Sequence, residues 1–377
     1  MSVFLYTTET TNKSERFLFY PSQYKWCNFS SFYNMFAMIL NLLSKANSFL
    51  HSLRKRIIRY FTGMSEIERI CHPPPHSSDR ARKFSSKMTK LFSSALKRSK
   101  KILTYRKLIF CNLGSLKPFS VTAALENIIQ IKGIKADNTN LLSQGAIQGK
   151  LATIGNITHS LCAIRLVNLV AFKFETMRKD TFDKSNKNHL SMLNKLWFAL
   201  KPECTRISEF ESGPTPLISA DWGEIGFQGK DPSTDFRGMG LLGLRQLIYF
   251  CEKNPDIARN ILLISNHPQK YYPFAITGIN ITAFLLELLN ETRLHGLILD
   301  NLEKLTLDNT LKYSTESKAF DDVETIACTC DALNDFYCFI FQKFSKLWVA
   351  RNPKDIMDFP RIFTELKRDI RYNFPEL

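Results

Sequence analysis

The sequence is short of the features that mark several common protein classes. It contains only 15 Gly and 15 Pro in 377 residues, which excludes collagen-like and low-complexity chains. No apolar run reaches the roughly 18 residues needed to cross a bilayer, because the richest run, residues 36–43, is interrupted by Asn41. Hydrophobic residues nevertheless make up 44% of the chain, so most of it can bury a core. The length suggests two or three domains, or one large domain with extensions.

Paired cysteines and a leader-like N-terminus are also missing. The nine Cys are odd in number and scattered, with no C-x-x-C pair, which indicates reduced thiols and not a disulfide framework or a zinc site. The first residues lack a basic stretch followed by an apolar one, so we expect no secretory signal. We therefore expect a cytoplasmic protein, with peripheral association with intracellular membranes as an open alternative.

The positive charge of the chain is concentrated in one segment. The net charge is +16 overall, and residues 51–110 carry +13 of it, with 16 basic and 3 acidic side chains. Residues 1–50 carry +2 and residues 111–377 carry +1. The chain is therefore a near-neutral body with one basic, anion-seeking segment. Aromatic residues are not regularly interleaved with the basic run, so we expect no nucleic-acid partner.

An amphipathic helix is predicted just before and within this basic segment. Apolar residues recur at mostly helical spacings over residues 34–61, and they are Met35, Ile39, Leu42, Leu43, Phe49, Leu53, Ile57, Ile58 and Phe61. Arg54, Lys55, Arg56 and Arg59 lie toward its end. Such a helix could lie on an anionic membrane surface through residues 34–110, or it could pack on the protein with a solvated end. The pattern does not separate these two interpretations.

From residue 118 onward helical periodicity dominates, alternating runs are nearly absent, and no internal repeat is seen. The predicted fold class is therefore all-α. We divide the chain into a poorly ordered tail (1–33), a basic amphipathic helical extension and linker (34–110), a helical region leading into the core (111–187), a main domain (188–352) and a C-terminal helical segment (353–377). A helix over residues 190–200 is expected to be capped by Asp183-Lys-Ser185, and another is expected to start near Gly238.

Three patterns resemble ligand sites without meeting their requirements. Residues 145–150 are one residue too short for a phosphate-binding loop, and Leu151 replaces the Ser or Thr that would hold Mg²⁺. Gly238-x-Gly240-x-x-Gly243 follows a turn, whereas a dinucleotide-binding motif needs a strand before it. Cys71, His72 and His76 surround three prolines and lack a fourth metal ligand. We therefore expect no metal site and no nucleotide site in this chain.

The most unusual segment is residues 222–250. Gly226, Gly229 and Pro232 indicate non-helical backbone, and Asp231 and Asp235 can each close a turn. The predicted result is a rigid, aromatically anchored loop with Arg237 at its exit. A guanidinium presented in this way suits an arginine finger, which stabilises charge on a transferring phosphoryl group. The alternative is that Arg237 pairs with Asp231 or Asp235 and only clamps the loop.

This segment closely resembles the signature of the ELMO domain, in the form found in ELMO domain-containing (ELMOD) proteins. The matching pattern is Trp222, then Ile225-Gly-Phe-Gln-Gly229, Asp231-Pro232, Thr234-Asp-Phe-Arg-Gly238, Gly240, Leu244, Leu247 and Tyr249-Phe250. The resemblance covers roughly residues 35–365 and is firmest over 188–360. It implies that the all-α fold is an ELMO-domain helical array, here preceded by the basic amphipathic extension.

The resemblance implies a GTPase-activating protein for Arf and Arl small GTPases, with Arg237 as the catalytic residue. Such a protein is an accessory catalyst without a cofactor, because the partner GTPase supplies GTP and Mg²⁺. The residues expected to shape the loop or contact the partner are Trp222, Ile225, Gly226, Phe227, Gln228, Gly229, Asp231, Pro232, Thr234, Asp235, Phe236 and Gly238. The alternative is a non-catalytic ELMO-type scaffold or effector that binds small GTPases or their exchange factors. The related ELMO scaffolds carry a PH domain and a proline-rich tail that this sequence does not show, which favours the activator.

Overall fold

The computed structural model describes residues 46, 49–72, 85–99, 120–134, 144–203, 217–307 and 323–375. Every regular element within these ranges is helical, and they contain no strand. The predicted all-α class is therefore confirmed.

Twelve α-helices lie within the described residues. They are α1 (49–62), α2 (Glu66–Cys71), α3 (Ser86–Lys97), α4 (Val121–Lys132), α5 (Gln144–Lys179), α6 (Lys187–Leu200), α7 (Gly240–Lys253), α8 (Pro255–Ser265), α9 (Phe274–Asn290), α10 (His295–Leu307), α11 (Val323–Arg351) and α12 (Phe359–Asn373). Short 3₁₀ helices lie at Ala220–Ile225, Pro232–Arg237 and Ile356–Asp358.

The chain divides into two compact units, Met1–Gly63 and Met64–Leu377. In the first unit, α1 ends at Gly63, which has a left-handed backbone (φ 67°) and donates its N–H to the carbonyl of Arg59 at 2.8 Å. The second unit begins with Ser65, whose side chain accepts from the N–H of Glu68 while the Glu68 carboxylate accepts from the N–H of Ser65. This reciprocal capping fixes the start of α2.

Helix α7 lies at the centre of the second unit. It packs against α5, α6, α8, α9 and α11. Most of its residues are buried, among them Leu244, Leu247 and Phe250, each fully inaccessible to solvent. Because α7 is packed against other helices along its length, its first residue, Gly240, is held in place, and so is the end of the segment that precedes it.

Two expectations about boundaries need correction. The described residues 64–72 and 85–99 belong to the second unit, since α3 buries Phe92 and Leu96 in the common core and packs on α2, α5 and α10. The cap of α6 is Asn186, which accepts from the N–H of Asn188, and not the preceding Asp183-Lys-Ser185. At α3 the burial of Phe92 and Leu96 determines the structure despite the basic composition of the segment. At α6 the hydrogen bond of Asn186 determines where the helix starts. The proposed tail at 1–33 lies outside the described residues.

Helix α5 accounts for one of the rejected phosphate-loop patterns, because residues 145–150 lie within its first turns. Among the described residues, its part Gly149–Lys179 is also long and apolar enough to cross a bilayer, as is the pair α9–α10, which bends by 86°. In the α5 stretch, 67% of the apolar window is buried inside the protein. Core helices of soluble proteins have the same composition, so this length and hydropathy are weak indicators of a span.

Candidate functional site

The segment 217–239, which we call the loop, leads into α7 and contains two of the 3₁₀ helices. Asp231 caps the second of them, and Pro232 occupies its first turn, where a missing N–H costs nothing. The helix α7 begins at Gly240, two residues later than predicted. The loop therefore has regular local structure and leads directly into the central helix.

A series of aromatic rings in mutual contact packs against the buried side of the loop. Trp222 meets Trp197 edge to face with centroids 5.3 Å apart, and it meets Phe227 at 6.0 Å. Phe227 meets Phe236 at 5.6 Å, and Phe236 stacks on Phe182 at 5.6 Å. Such ring pairs each contribute about 0.5–1.5 kcal/mol beyond the area they bury. The loop is thereby fixed to Trp197 of α6 and to Phe182 in the connection between α5 and α6.

The burial pattern divides the predicted site residues into two sets. The buried set shapes the loop from inside and comprises Trp222, Ile225, Gly226, Phe227, Pro232 and Phe236. The exposed set, which we call the rim, comprises Gln228, Gly229, Arg237 and Gly238, and the exposed Lys230, which was not predicted, lies beside Gly229. Asp231, Thr234 and Asp235 are half-buried between the two sets. Direct contact with a partner is therefore open to the rim and closed to the buried aromatic residues.

Two glycines permit close backbone packing around the loop. Gly226 has φ 83°, and a Cβ there would lie 2.1 Å from the backbone nitrogen of Phe274. Gly240 has φ 51°, and a Cβ there would lie 2.3 Å from the carbonyl oxygen of Arg178. Gly238 differs from both, because its φ is −85° and no atom lies within 4 Å of the Cβ position. The fold therefore requires glycine at 226 and 240 but not at 238.

Both loop aspartates have partners other than Arg237. The Asp231 carboxylate accepts from the N–H and hydroxyl of Ser233, at 3.1 and 2.6 Å, and pairs with Lys184. Burial opposes ionisation of Asp231, but these donors together outweigh it and lower its pKa. Asp235 accepts from the N–H of Gln228 at 2.8 Å, while burial raises its pKa.

Arg237 is exposed, and within the described part of the chain it forms no hydrogen bond or ion pair. Its positive charge acts on Asp235 through space and slightly opposes the rise in the pKa of that carboxyl. The direct partners of Asp231 and Asp235 are instead Lys184, Ser233 and the backbone N–H of Gln228, so no direct Arg237–aspartate clamp is present within the described residues. The five N–H donors of the planar guanidinium therefore have no hydrogen-bond acceptor among the described residues.

Sequence reasoning missed the residues of α5 and its C-terminal connection that brace the loop. Arg178 binds the carboxylate of Glu175 through two bonds of 2.7 Å and donates to the carbonyl of Gly238 at 3.3 Å. The N–H of Leu241 donates to the carbonyl of Asp180 at 2.8 Å. These contacts fix the residues on either side of the Gly238–Gly240 turn. No local signal identifies them, since Arg178 lies 60 residues before Gly238.

The residues first considered as metal ligands have other surroundings. Cys71 is buried at the end of α2, and burial raises its pKa to about 12, which disfavours the thiolate that a metal needs. The Nδ1 atom of His72 lies 3.2 Å from the hydroxyl of Thr153. His76 lies outside the described residues. Among the residues that the structure does describe, no group of three or more His, Cys, Asp or Glu could hold a metal ion.

The fold and site define an all-α protein in which a braced loop presents an arginine to solvent. The profile of the ELMO/CED-12 family matches residues 173–363. ELMO domain-containing protein B of Dictyostelium discoideum is 32% identical over 326 residues, covering 86% of this chain and 95% of its own length. Human ELMO domain-containing protein 1 is 30% identical over 353 residues, covering 85% of this chain and 87% of its own.

The chain belongs to the ELMO/CED-12 family, and it is similar over most of its length to ELMO domain-containing proteins. Human ELMO domain-containing protein 2 is 37% identical over a shorter stretch of 185 residues, which is 49% of this chain. No solved structure shows significant similarity to the chain. The resemblance read from residues 222–250 is confirmed at the level of the family.

Proposed function

We propose that this protein stimulates GTP hydrolysis by small GTPases of the Arf/Arl class, with Arg237 supplied in trans as the catalytic residue. The observation that carries the proposal is that Arg237 is exposed and unpaired among the described residues, at the end of a loop held by buried aromatic rings. The choice of Arf and Arl substrates rests on the ELMOD resemblance of residues 222–250.

Phosphoryl transfer requires positioned positive charge more than covalent help from the protein. Negative charge spreads over the oxygens of the transferring group, and a guanidinium remains charged at any working pH and offers a planar fork of donors. In the proposed complex the GTPase contributes the nucleotide, Mg²⁺ and the residue that orients water. The ELMO protein contributes the arginine, and an arginine finger is worth about 10³–10⁵ in rate.

Two features of the loop suit insertion into another protein. The loop backbone is fixed before binding by the aromatic rings, by the Arg178 bond to the carbonyl of Gly238 and by the carbonyl of Asp180, which accepts from Leu241. Little further ordering is therefore needed when the partner docks. Gly238, next to Arg237, is exposed and has open space at its Cβ position. A glycine that the fold does not require allows a partner backbone to come close to the arginine.

Single-turnover GTP hydrolysis on a panel of Arf and Arl proteins tests the proposal. The native chain should accelerate at least one of them, and Arg237→Ala should lower that acceleration by about 10³-fold or more. Arg237→Lys should restore little, because an ammonium keeps the charge without the planar fork. Arg368→Ala is the matched control, since it removes an exposed arginine of α12 and should leave the rate unchanged.

Binding must be measured in parallel to separate catalysis from docking. If Arg237→Ala binds the GTP-loaded partner normally and hydrolysis is lost, the arginine is catalytic. If neither protein accelerates hydrolysis while both bind the GTPase, the scaffold or effector alternative is correct.

A further inference from the structure

Helix α1 carries an apolar face that is open to solvent. At about 100° per residue, six large apolar side chains fall on one arc of about 120°. They are Phe49 (68% exposed), Leu50 (61%), Leu53 (41%), Ile57 (48%), Tyr60 (86%) and Phe61 (79%). We call this surface the α1 face. Single exposed apolar residues are ordinary, but a contiguous set of this size marks an interaction surface.

The charges around the α1 face are all of one sign. Arg56 lies just beyond one edge of the arc and Arg54 just beyond the other, while Lys55 and Arg59 lie on the opposite side. The described residues 49–63 contain no acidic side chain. The helix therefore combines an apolar strip with basic borders on both edges, which complements a surface that is apolar inside and anionic at its boundary.

Helix α12 is also amphipathic and basic, but its apolar face is buried in the core and its Arg371 forms ion pairs. Its apolar residues Ile362, Leu366 and Ile370 are at most 1% exposed. Its Arg371 binds the carboxylates of Glu287 and Glu291 on α9 at 2.9 and 2.7 Å. Within the described residues, helix α1 has no buried face, and its Arg54, Arg56 and Arg59 form no ion pair with an acidic side chain.

We infer that the α1 face binds the surface of an anionic lipid bilayer. Phe49, Tyr60 and Phe61 suit the boundary between headgroups and acyl chains. Arg54 and Arg56 can lay their aliphatic stems along the apolar strip and extend their charged ends to lipid phosphates. This function is separate from Arg237 and does not depend on the proposed GTPase activation.

Sedimentation of the full chain with lipid vesicles tests the inference. The native protein should bind vesicles of phosphatidylcholine with about 30% phosphatidylserine more tightly than vesicles of phosphatidylcholine alone, and 0.5 M salt should weaken this binding. The double variant Leu53→Ser, Ile57→Ser should bind at least about 100-fold more weakly. The triple variant Arg54→Gln, Arg56→Gln, Arg59→Gln should lose about 100-fold on the anionic vesicles.

Matched controls come from exposed residues of the second unit. Leu263→Ser removes a side chain that is 73% exposed, and a triple variant with Gln at Lys187, Lys346 and Arg368 removes equal charge. Both should bind vesicles like the native chain. Equal binding by native and α1 variants, or no native binding to anionic vesicles, would overturn the inference. Self-association lost in the Leu53/Ile57 variant without lipid binding would assign the face to a second copy instead.

Discussion

In the loop 217–239, the buried residues stabilise the fold, whereas the rim residues are exposed to solvent and contribute little to it. Phe236 is 1% exposed and contacts two other aromatic rings, whereas its neighbour Arg237 is exposed and unpaired among the described residues. In a 3₁₀ helix consecutive side chains point about 120° apart, so adjacent residues reach opposite environments. The buried side supplies rigidity, and that rigidity allows the exposed side to present a cation without internal contacts.

The pair Phe236→Ala and Arg237→Ala should show the contrast most strongly. Removing the buried ring should lower the free energy of unfolding by about 3–5 kcal/mol, because it leaves a cavity among Phe182, Phe227 and the loop backbone. Removing the arginine should change it by less than about 0.5 kcal/mol. Urea denaturation measures both. A large loss of stability in Arg237→Ala would mean that the side chain is held within its own domain.

The glycines at 240 and 238 extend the same contrast to the backbone. Gly240→Ala should cost about 2–4 kcal/mol, because its φ is 51° and the new Cβ would meet the carbonyls of Arg178 and Asp180. Gly238→Ala should be neutral within about 0.5 kcal/mol. If a partner approaches closely here, Gly238→Ala should still weaken GTPase binding, which calorimetry would detect. Equal destabilisation by the two substitutions would contradict the described turn.

The two aspartates should respond to charge removal in opposite ways. Asp231→Asn should lose about 1 kcal/mol at pH 7, since it weakens the cap and the pair with Lys184. Because the folded pKa of Asp231 is lowered, its contribution is present above the unfolded value of about 3.9 and disappears as the pH falls through the lower folded value.

For Asp235 the ionised carboxylate lowers the stability of the fold, because burial raises its pKa and disfavours the charged form. Asp235→Asn retains an oxygen that can accept from the N–H of Gln228, and it should leave stability unchanged or slightly increased at pH 7. Thermal unfolding of both variants between pH 3 and pH 7 measures the difference. Parallel pH profiles for the two would show that the half-buried acids are equivalent.

Among the contacts that stabilise the loop, the smallest effect is expected at Lys184, whose ion pair with Asp231 is partly exposed, at 53% and 21% for the two side chains. Lys184→Gln should cost less than about 1 kcal/mol. A double-mutant cycle with Asp231→Asn should give a coupling in the same range, which attributes the remainder of the Asp231 effect to its capping bonds.

Much of the fold was predictable because helical periodicity and capping are local. The helix expected over residues 190–200 lies within α6 (Lys187–Leu200), and the helix expected to start near Gly238 begins at Gly240. The loop was also predictable, since Gly226, Asp231 and Pro232 specify turns by their own chemistry. Composition failed at α3, because its basic, serine-rich sequence suggests a solvated segment although Phe92, Ser93 and Leu96 are buried.

The sequence by itself determined the helices, the turn chemistry of the loop and the family signature around Arg237, because each depends on residues a few positions apart. Tertiary structure decided that Lys184 pairs with Asp231 and that Arg237 is exposed without an ion pair among the described residues. Lys184 reaches Asp231 across 47 residues, and Arg178 reaches Gly238 across 60. Such partners meet only after α5 and α6 have packed against α7, so no local pattern could assign them.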